Sequence, residues 1–128
     1  MRVLLDSHTL LWWLIGDPRL SRRALEVIEQ AAAPIFVSAA SVWEIAIKAA
    51  KGKLRLPPGA EDRIRDEMAS AGFVELPVTW DHAFAVRSLK AHHLDPFDRL
   101  LIAQSQIESL TIVTNDRLLR RYEVDCLW

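Results

Sequence analysis

The 128 residues are 51% hydrophobic and 26% charged, a balance that predicts one globular domain over residues 1–128 and leaves no room for a second core. Sixteen Lys and Arg against 17 Asp and Glu give a formal charge of -1, so bulk charge does not select a polyanion partner. A single cysteine, Cys126, excludes an internal disulfide, no apolar run nears the roughly 18 residues of a membrane span, and the stretch before Asp6 does not read as a signal peptide; the expectation is a cytoplasmic protein with no membrane association.

Residues Arg2 to Leu5 form a short apolar run closed by Asp6-Ser7, the pattern of a buried strand ending in a polar turn. His8 to Ile15 is apolar on nearly every side and predicts a buried helix stopped by Gly16-Asp17-Pro18. Ser21 can cap the next helix, with Ala24, Leu25 and Ile28 on its inner face and an end near Pro34. Ile35 to Val37 reads as a second strand, and either Ser38 or Ser41 can cap the helix that runs from there to about Lys51, with Glu44 in its first turns.

Pro57-Pro58-Gly59 marks a loop before an amphipathic stretch carrying Ile64 and Met68, and Phe73 to Leu76 is a third strand. Thr79 caps a helix with Ala83, Val86 and Leu89 inward, expected to run out at His92-His93. Asp95 then caps the clearest helix of the chain, with Pro96 at its first position and Phe97, Leu100, Leu101, Gln104 and Ile107 following. Leu110 to Val113 is a fourth strand, closed by Thr114-Asn115-Asp116; a short helical turn and a last strand, about Val124 to Leu127, complete the pattern.

Alternating strands and helices predict a parallel sheet covered on both faces, whose ligand crevice lies beyond the carboxyl ends of the strands. Asp6 and Asp116 follow strands, while Glu44 and Asp98 open helices near the same edge. Four carboxylates gathered there would repel one another or hold a proton unless a cation joins them. An all-oxygen donor set with no Cys or His pattern points to Mg²⁺ or Mn²⁺ rather than zinc, and such an ion activates water for attack on a phosphodiester. Ser7, Thr114 and Asn115 sit beside the acids in sequence and are expected to orient them or to hold a water.

The segments Val3-Leu-Leu-Asp-Ser-His-Thr9, Ser41-Val-Trp-Glu-Ile-Ala-Ile-Lys48, His93-Leu-Asp-Pro-Phe-Asp-Arg-Leu-Leu-Ile-Ala-Gln104 and Val113-Thr-Asn-Asp116 closely resemble a PIN domain of the VapC toxin type. The resemblance covers essentially the whole chain. It implies a three-layer α/β/α sandwich around a mostly parallel sheet of four to five strands. It also implies an acidic quartet of Asp6, Glu44, Asp98 and Asp116 that binds Mg²⁺ or Mn²⁺ and cleaves RNA, a cognate antitoxin that blocks the site, and a homodimer.

Each acid also has a plain structural reading. Asp6 and Asp116 can cap the turns that follow them, Glu44 can pair with Ser41 or Lys48, and Asp98 can favour the helix dipole near its cap Asp95. His92 and His93 read as a solvated helix end outside the site, while Trp12, Trp13 and Trp43 read as core or as anchors for a partner. Lys48, Lys51, Lys53 and Arg55, with Arg99, Arg117, Arg120 and Arg121, offer a track for an RNA backbone or simply a solvated face.

Two other enzyme classes with an Asp after the first strand fit poorly. A haloacid-dehalogenase phosphatase needs a second Asp where His8 stands, and a receiver domain needs paired acids where Asp6-Ser7 supplies one. The remaining alternative is a PIN-fold module that binds RNA without cutting it.

Overall fold

Val3, Leu4 and Leu5 offer no polar face, and such a strand is stable only where both its faces are covered. In the computed structural model, which describes residues 1–128, they form β1 (Val3–Leu5), the middle strand of a five-stranded parallel sheet. The others are β2 (Ile35–Ser38), β3 (Phe73–Leu76), β4 (Thr111–Val113) and β5 (Cys126–Leu127), in the order β3-β2-β1-β4-β5. β1 pairs with β2 on one side, Leu5 opposite Val37, and with β4 on the other, Leu5 opposite Val113. The chain reverses its direction of travel across the sheet between these neighbours, so the crevice beyond the ends of β1 and β4 is the switch point.

Six helices cover the sheet: α1 (Ser7–Ile15), α2 (Arg22–Glu29), α3 (Ala39–Ala50), α4 (Ala60–Ser70), α5 (Trp80–Ala85) and α6 (Pro96–Glu108). Alternation along β1 assigns them to two layers. Val3 and Leu5 pack with Leu10 of α1, Ala24 and Ile28 of α2 and Ile45 of α3. Leu4 turns to the opposite face, onto Leu101 of α6, and Ile112 of β4 meets Ile102 of α6 together with Leu119 and Tyr122. The result is the expected α/β/α sandwich. No helix is long and apolar enough to cross a membrane.

The structure departs from the expected elements in three places. The helix capped by Thr79 stops at Ala85 and continues only as a 3₁₀ turn, Val86–Ser88, so His92 and His93 lie in a loop well beyond it. The carbonyls of Val86, Leu89 and Lys90 are taken by the Arg99 guanidinium, which replaces the partners a longer helix would have supplied. Helix α2 ends at Glu29, short of Pro34, and the last strand is confined to Cys126–Leu127. Of the two serines that could cap α3, Ser38 does so, through the Ala40 N–H at 3.0 Å, and Glu44 falls in the second turn.

Candidate functional site

Asp6 leaves β1 in extended geometry and caps α1: Oδ1 accepts the Thr9 N–H at 2.8 Å. Its other oxygen, Oδ2, accepts the Thr114 hydroxyl at 2.5 Å, just past the end of β4. The Thr9 hydroxyl donates to the Val113 carbonyl at 2.9 Å and ties the same strand ends together. Asp6 is thus a helix cap and something more, a buried carboxylate held at once from α1 and from the end of β4.

Thr114 also accepts the Asp116 N–H at 3.0 Å, so one buried hydroxyl bridges two of the predicted acids. Asp116 is half-buried and its Oδ1 accepts the Leu118 N–H at 2.9 Å, which shapes the turn into the 3₁₀ segment Leu119–Arg121. Asn115, expected to support the acids, is instead exposed and its amide makes no hydrogen bond. The turn sends its side chain outward while its two neighbours point in.

Glu44 is buried and reaches across to α1, where the Ser7 hydroxyl donates to its Oε1 at 2.6 Å. Its Oε2 meets Lys48 Nζ at 2.9 Å, one helical turn on. No capping box joins it to Ser41, whose hydroxyl is buried without a partner.

Asp98 is the third residue of α6. Asp95 caps that helix as expected, its Oδ1 accepting the N–H groups of Phe97 and Asp98 at 2.9 and 3.1 Å. Burial pushes the Asp98 carboxyl up to about 7; the charges of Asp95, Asp116 and Asp6 push the same way, and a hydrogen bond from His93 opposes them. Asp6, Asp98 and Asp116 therefore share one electrostatic environment. Glu44 joins it through Ser7 at the adjoining ends of α1 and α3, with its charge balanced by Lys48.

As the side chains stand, no three His, Cys, Asp or Glu groups converge closely enough to chelate an ion. The donor set nevertheless suits a hard divalent cation, being all carboxylate oxygen with no Lys or Arg paired with Asp6, Asp98 or Asp116. A cation there would offset both the burial and the like charges that lift Asp98.

One contributor escaped the sequence reading. His93, taken for part of a solvated helix end, has its side chain only 11% exposed and places Nε2 3.3 Å from Asp98 Oδ2. A histidine just ahead of the Asp95-Pro96 helix start was the available signal. The tryptophans divide: Trp12 and Trp13 pack on the core, against Trp128 and Phe73, while Trp43 is 61% exposed and touches Phe97 edge-on.

The PIN domain model matches residues 3–125 of the chain. No curated protein matches it significantly in sequence. Among solved structures, a chain of VapBC2 from Rickettsia felis, bound to a DNA fragment from their promoter, superposes with a TM-score of 0.74 at 16% identity, over 100% of this chain and 99% of that one. DNA-bound VapBC from Salmonella typhimurium gives 0.72 at 16% identity, covering 99% and 97%. A toxin-antitoxin complex from Klebsiella pneumoniae gives 0.64 at 23% identity, covering 89% and 86%. At such identities the likeness is one of fold, and it agrees with the match that spans nearly every residue: the chain belongs to the PIN-domain family.

Proposed function

We propose that the chain is a Mg²⁺- or Mn²⁺-dependent endoribonuclease, the toxin of a toxin-antitoxin pair, acting in the cytoplasm as a single 1–128 unit. The observation that carries this reading is the gathering of Asp6, Asp98 and Asp116 at the carboxyl edge of β1 and β4, buried enough to raise Asp98 to about 7. In this reading Asp6, Glu44, Asp98 and Asp116 hold the cation, which when bound activates water for in-line attack on the phosphodiester and stabilises the leaving oxygen. Thr114 fixes the Asp6 carboxylate and the Asp116 backbone, and Ser7 fixes Glu44. Lys51, Lys53 and Arg55, exposed or nearly so beyond Glu44, meet backbone phosphates.

The partners in this reading are RNA, a cognate antitoxin and a second copy of the chain. Leu11, Trp12, Trp13 and Leu14 all sit half-buried on the same core, and the antitoxin's anchor on α1 in this reading is the edge formed by Leu11, Leu14 and Ile15. These line a groove of ≈ 580 Å³ with Leu56, Pro57 and Ile64.

One observation favours a second reading, a PIN-fold module that binds RNA without cutting it: both Glu44 oxygens are already engaged, by Ser7 and Lys48. Incubation of RNA with Mn²⁺ separates the two. Cleavage by the wild type that disappears in Asp98→Asn supports the nuclease, and RNA binding without metal-dependent cleavage selects the module.

A further inference from the structure

Four side chains form an ordered run of hydrogen bonds that ends at the acidic edge. Arg99 Nη1 lies 3.2 Å from the Tyr122 hydroxyl, that hydroxyl 2.9 Å from His93 Nδ1, and His93 Nε2 3.3 Å from Asp98 Oδ2. A guanidinium can only donate, so the Tyr122 oxygen accepts from Arg99. Tyr122 is buried, and its one proton has a single acceptor within reach, His93 Nδ1. The opposite arrangement would leave that buried proton without a partner. The neutral ring must then carry its own proton on Nε2, aimed at Asp98.

The same guanidinium also fixes the loop beneath the ring. Arg99 Nη1 donates to the carbonyls of Lys90 and His93 at 2.9 and 3.4 Å, and Nη2 to those of Val86 and Leu89 at 3.3 and 3.4 Å. Backbone and ring of His93 are therefore held by one residue of α6, a single position after the carboxylate that the ring meets. His93 is also the only group that hydrogen-bonds the Asp98 carboxylate. Without it, Asp98 would face the like charges of Asp95, Asp116 and Asp6 unopposed.

We propose that His93 is a positioning residue for the Asp98 carboxylate, its tautomer and orientation set by Tyr122 and, through Tyr122, by Arg99. The inference rests on the reading of Asp98 as a metal-holding acid. It gives the Asp98-Arg99 pair a joint purpose: the acid faces the crevice while its neighbour builds the support for it. A donor that fixes one oxygen of a carboxylate leaves the other in a defined direction for an ion, and loss of such support typically costs about 10–100-fold in metal affinity.

The test uses the full chain stripped of metal and titrated with Mn²⁺ alone. His93→Ala should weaken Mn²⁺ binding about 10–100-fold, and His93→Gln, whose amide keeps an N–H near the place of Nε2, should return it to within about threefold of wild type. A purely space-filling histidine would not discriminate in this way. Binding by His93→Ala within about twofold of wild type, or no recovery in His93→Gln, overturns the proposal. Asp98→Asn runs in parallel. If it binds Mn²⁺ as wild type does, the reading of Asp98 itself fails, an outcome distinct from failure of His93 alone.

A second measurement needs no metal and no His93 variant. The imidazole nitrogen shifts of the wild type, recorded at about pH 8 where an ordinary imidazole is neutral, should place the proton on Nε2 with Nδ1 hydrogen-bonded, and Tyr122→Phe should return the Nδ1 shift to that of an acceptor without a donor. A proton on Nδ1 in the wild type refutes the arrangement.

Discussion

The Thr114 hydroxyl and the Asp6 carboxylate, 108 residues apart in the chain, lie 2.5 Å from each other, and the same hydroxyl receives the Asp116 N–H at 3.0 Å. Thr114→Val keeps the shape and removes both bonds, stranding a buried carboxylate oxygen. Denaturant unfolding of the metal-free protein should report a loss of about 1.5–3 kcal/mol, the range for hydrogen bonds to charged groups. A change below about 0.5 kcal/mol would mean that Asp6 finds another donor, and the hydroxyl would then carry no orienting role.

Asp98 gives a pH dependence of defined sign. Its carboxyl is raised from 3.8 to about 7 in the folded chain, so between these values the native state holds more protons than the unfolded one. The contribution is favourable below pH 3.8 and disappears as pH climbs through about 7. Metal-free wild type should therefore lose stability over that window relative to Asp98→Asn, which has no such proton. Saturating Mn²⁺ should reduce the loss, because it favours the ionised carboxylate. Parallel stability profiles for the two proteins in chelator would refute the prediction.

Asp95 and Asp98 are both acidic and one turn apart, yet they should answer oppositely to amidation. Asp95→Asn preserves the cap, since Asn and Asp serve about equally there, and it removes one of the charges that lift Asp98. Cleavage should persist and the Asp98 carboxyl should titrate lower. Asp98→Asn should abolish cleavage while the melting temperature in chelator holds or rises. Equal activities of the two variants would remove the distinction between cap and site.

Lys48 balances Glu44 within the apo protein. Lys48→Met should leave a buried carboxylate uncompensated and lower metal-free stability by roughly 1 kcal/mol, a modest figure because the lysine side chain is 37% exposed. The same change should enlarge the stabilisation that Mn²⁺ gives, as the ion takes over the charge that lysine had balanced. Thermal melts with chelator and with Mn²⁺ check both signs, and a smaller Mn²⁺ increment would place Glu44 outside the metal's reach.

Much of this arrangement could be read along the chain because it depends on local rules. A carboxylate that ends an apolar run, as Asp6 and Asp116 do, has to emerge at a strand's end, and Asp95-Pro96 starts a helix wherever it occurs. Glu44 was harder to position, since Ser38 and Ser41 are both competent caps and only the packed helix chooses between them. The position of His93 ahead of the Asp95-Pro96 start was visible in the sequence, but the direction of its ring was not. Its orientation depends on Tyr122, 29 residues further on, and on five donations from one guanidinium. Trp12 and Trp13 could be read only as far as a choice between core and partner anchor, because an apolar helix with two adjacent tryptophans does not show that Trp128 and Phe73 will fold against it.

The placement of β1 beside β4 also bears on when the acidic edge is assembled. A chain emerging from the ribosome acquires Asp6 and Glu44 early, but Asp6 gains its Thr114 donor and its acidic neighbours only after Thr111–Val113 slots in next to Val3–Leu5. That pairing spans more than a hundred residues, and contacts of such separation form late and slowly. If the acids cut RNA, the nascent polypeptide is harmless through most of its synthesis, and catalytic competence arrives in one step near the end of folding. On the nuclease reading, an inhibitor present at that moment would meet the site before it had turned over a single substrate.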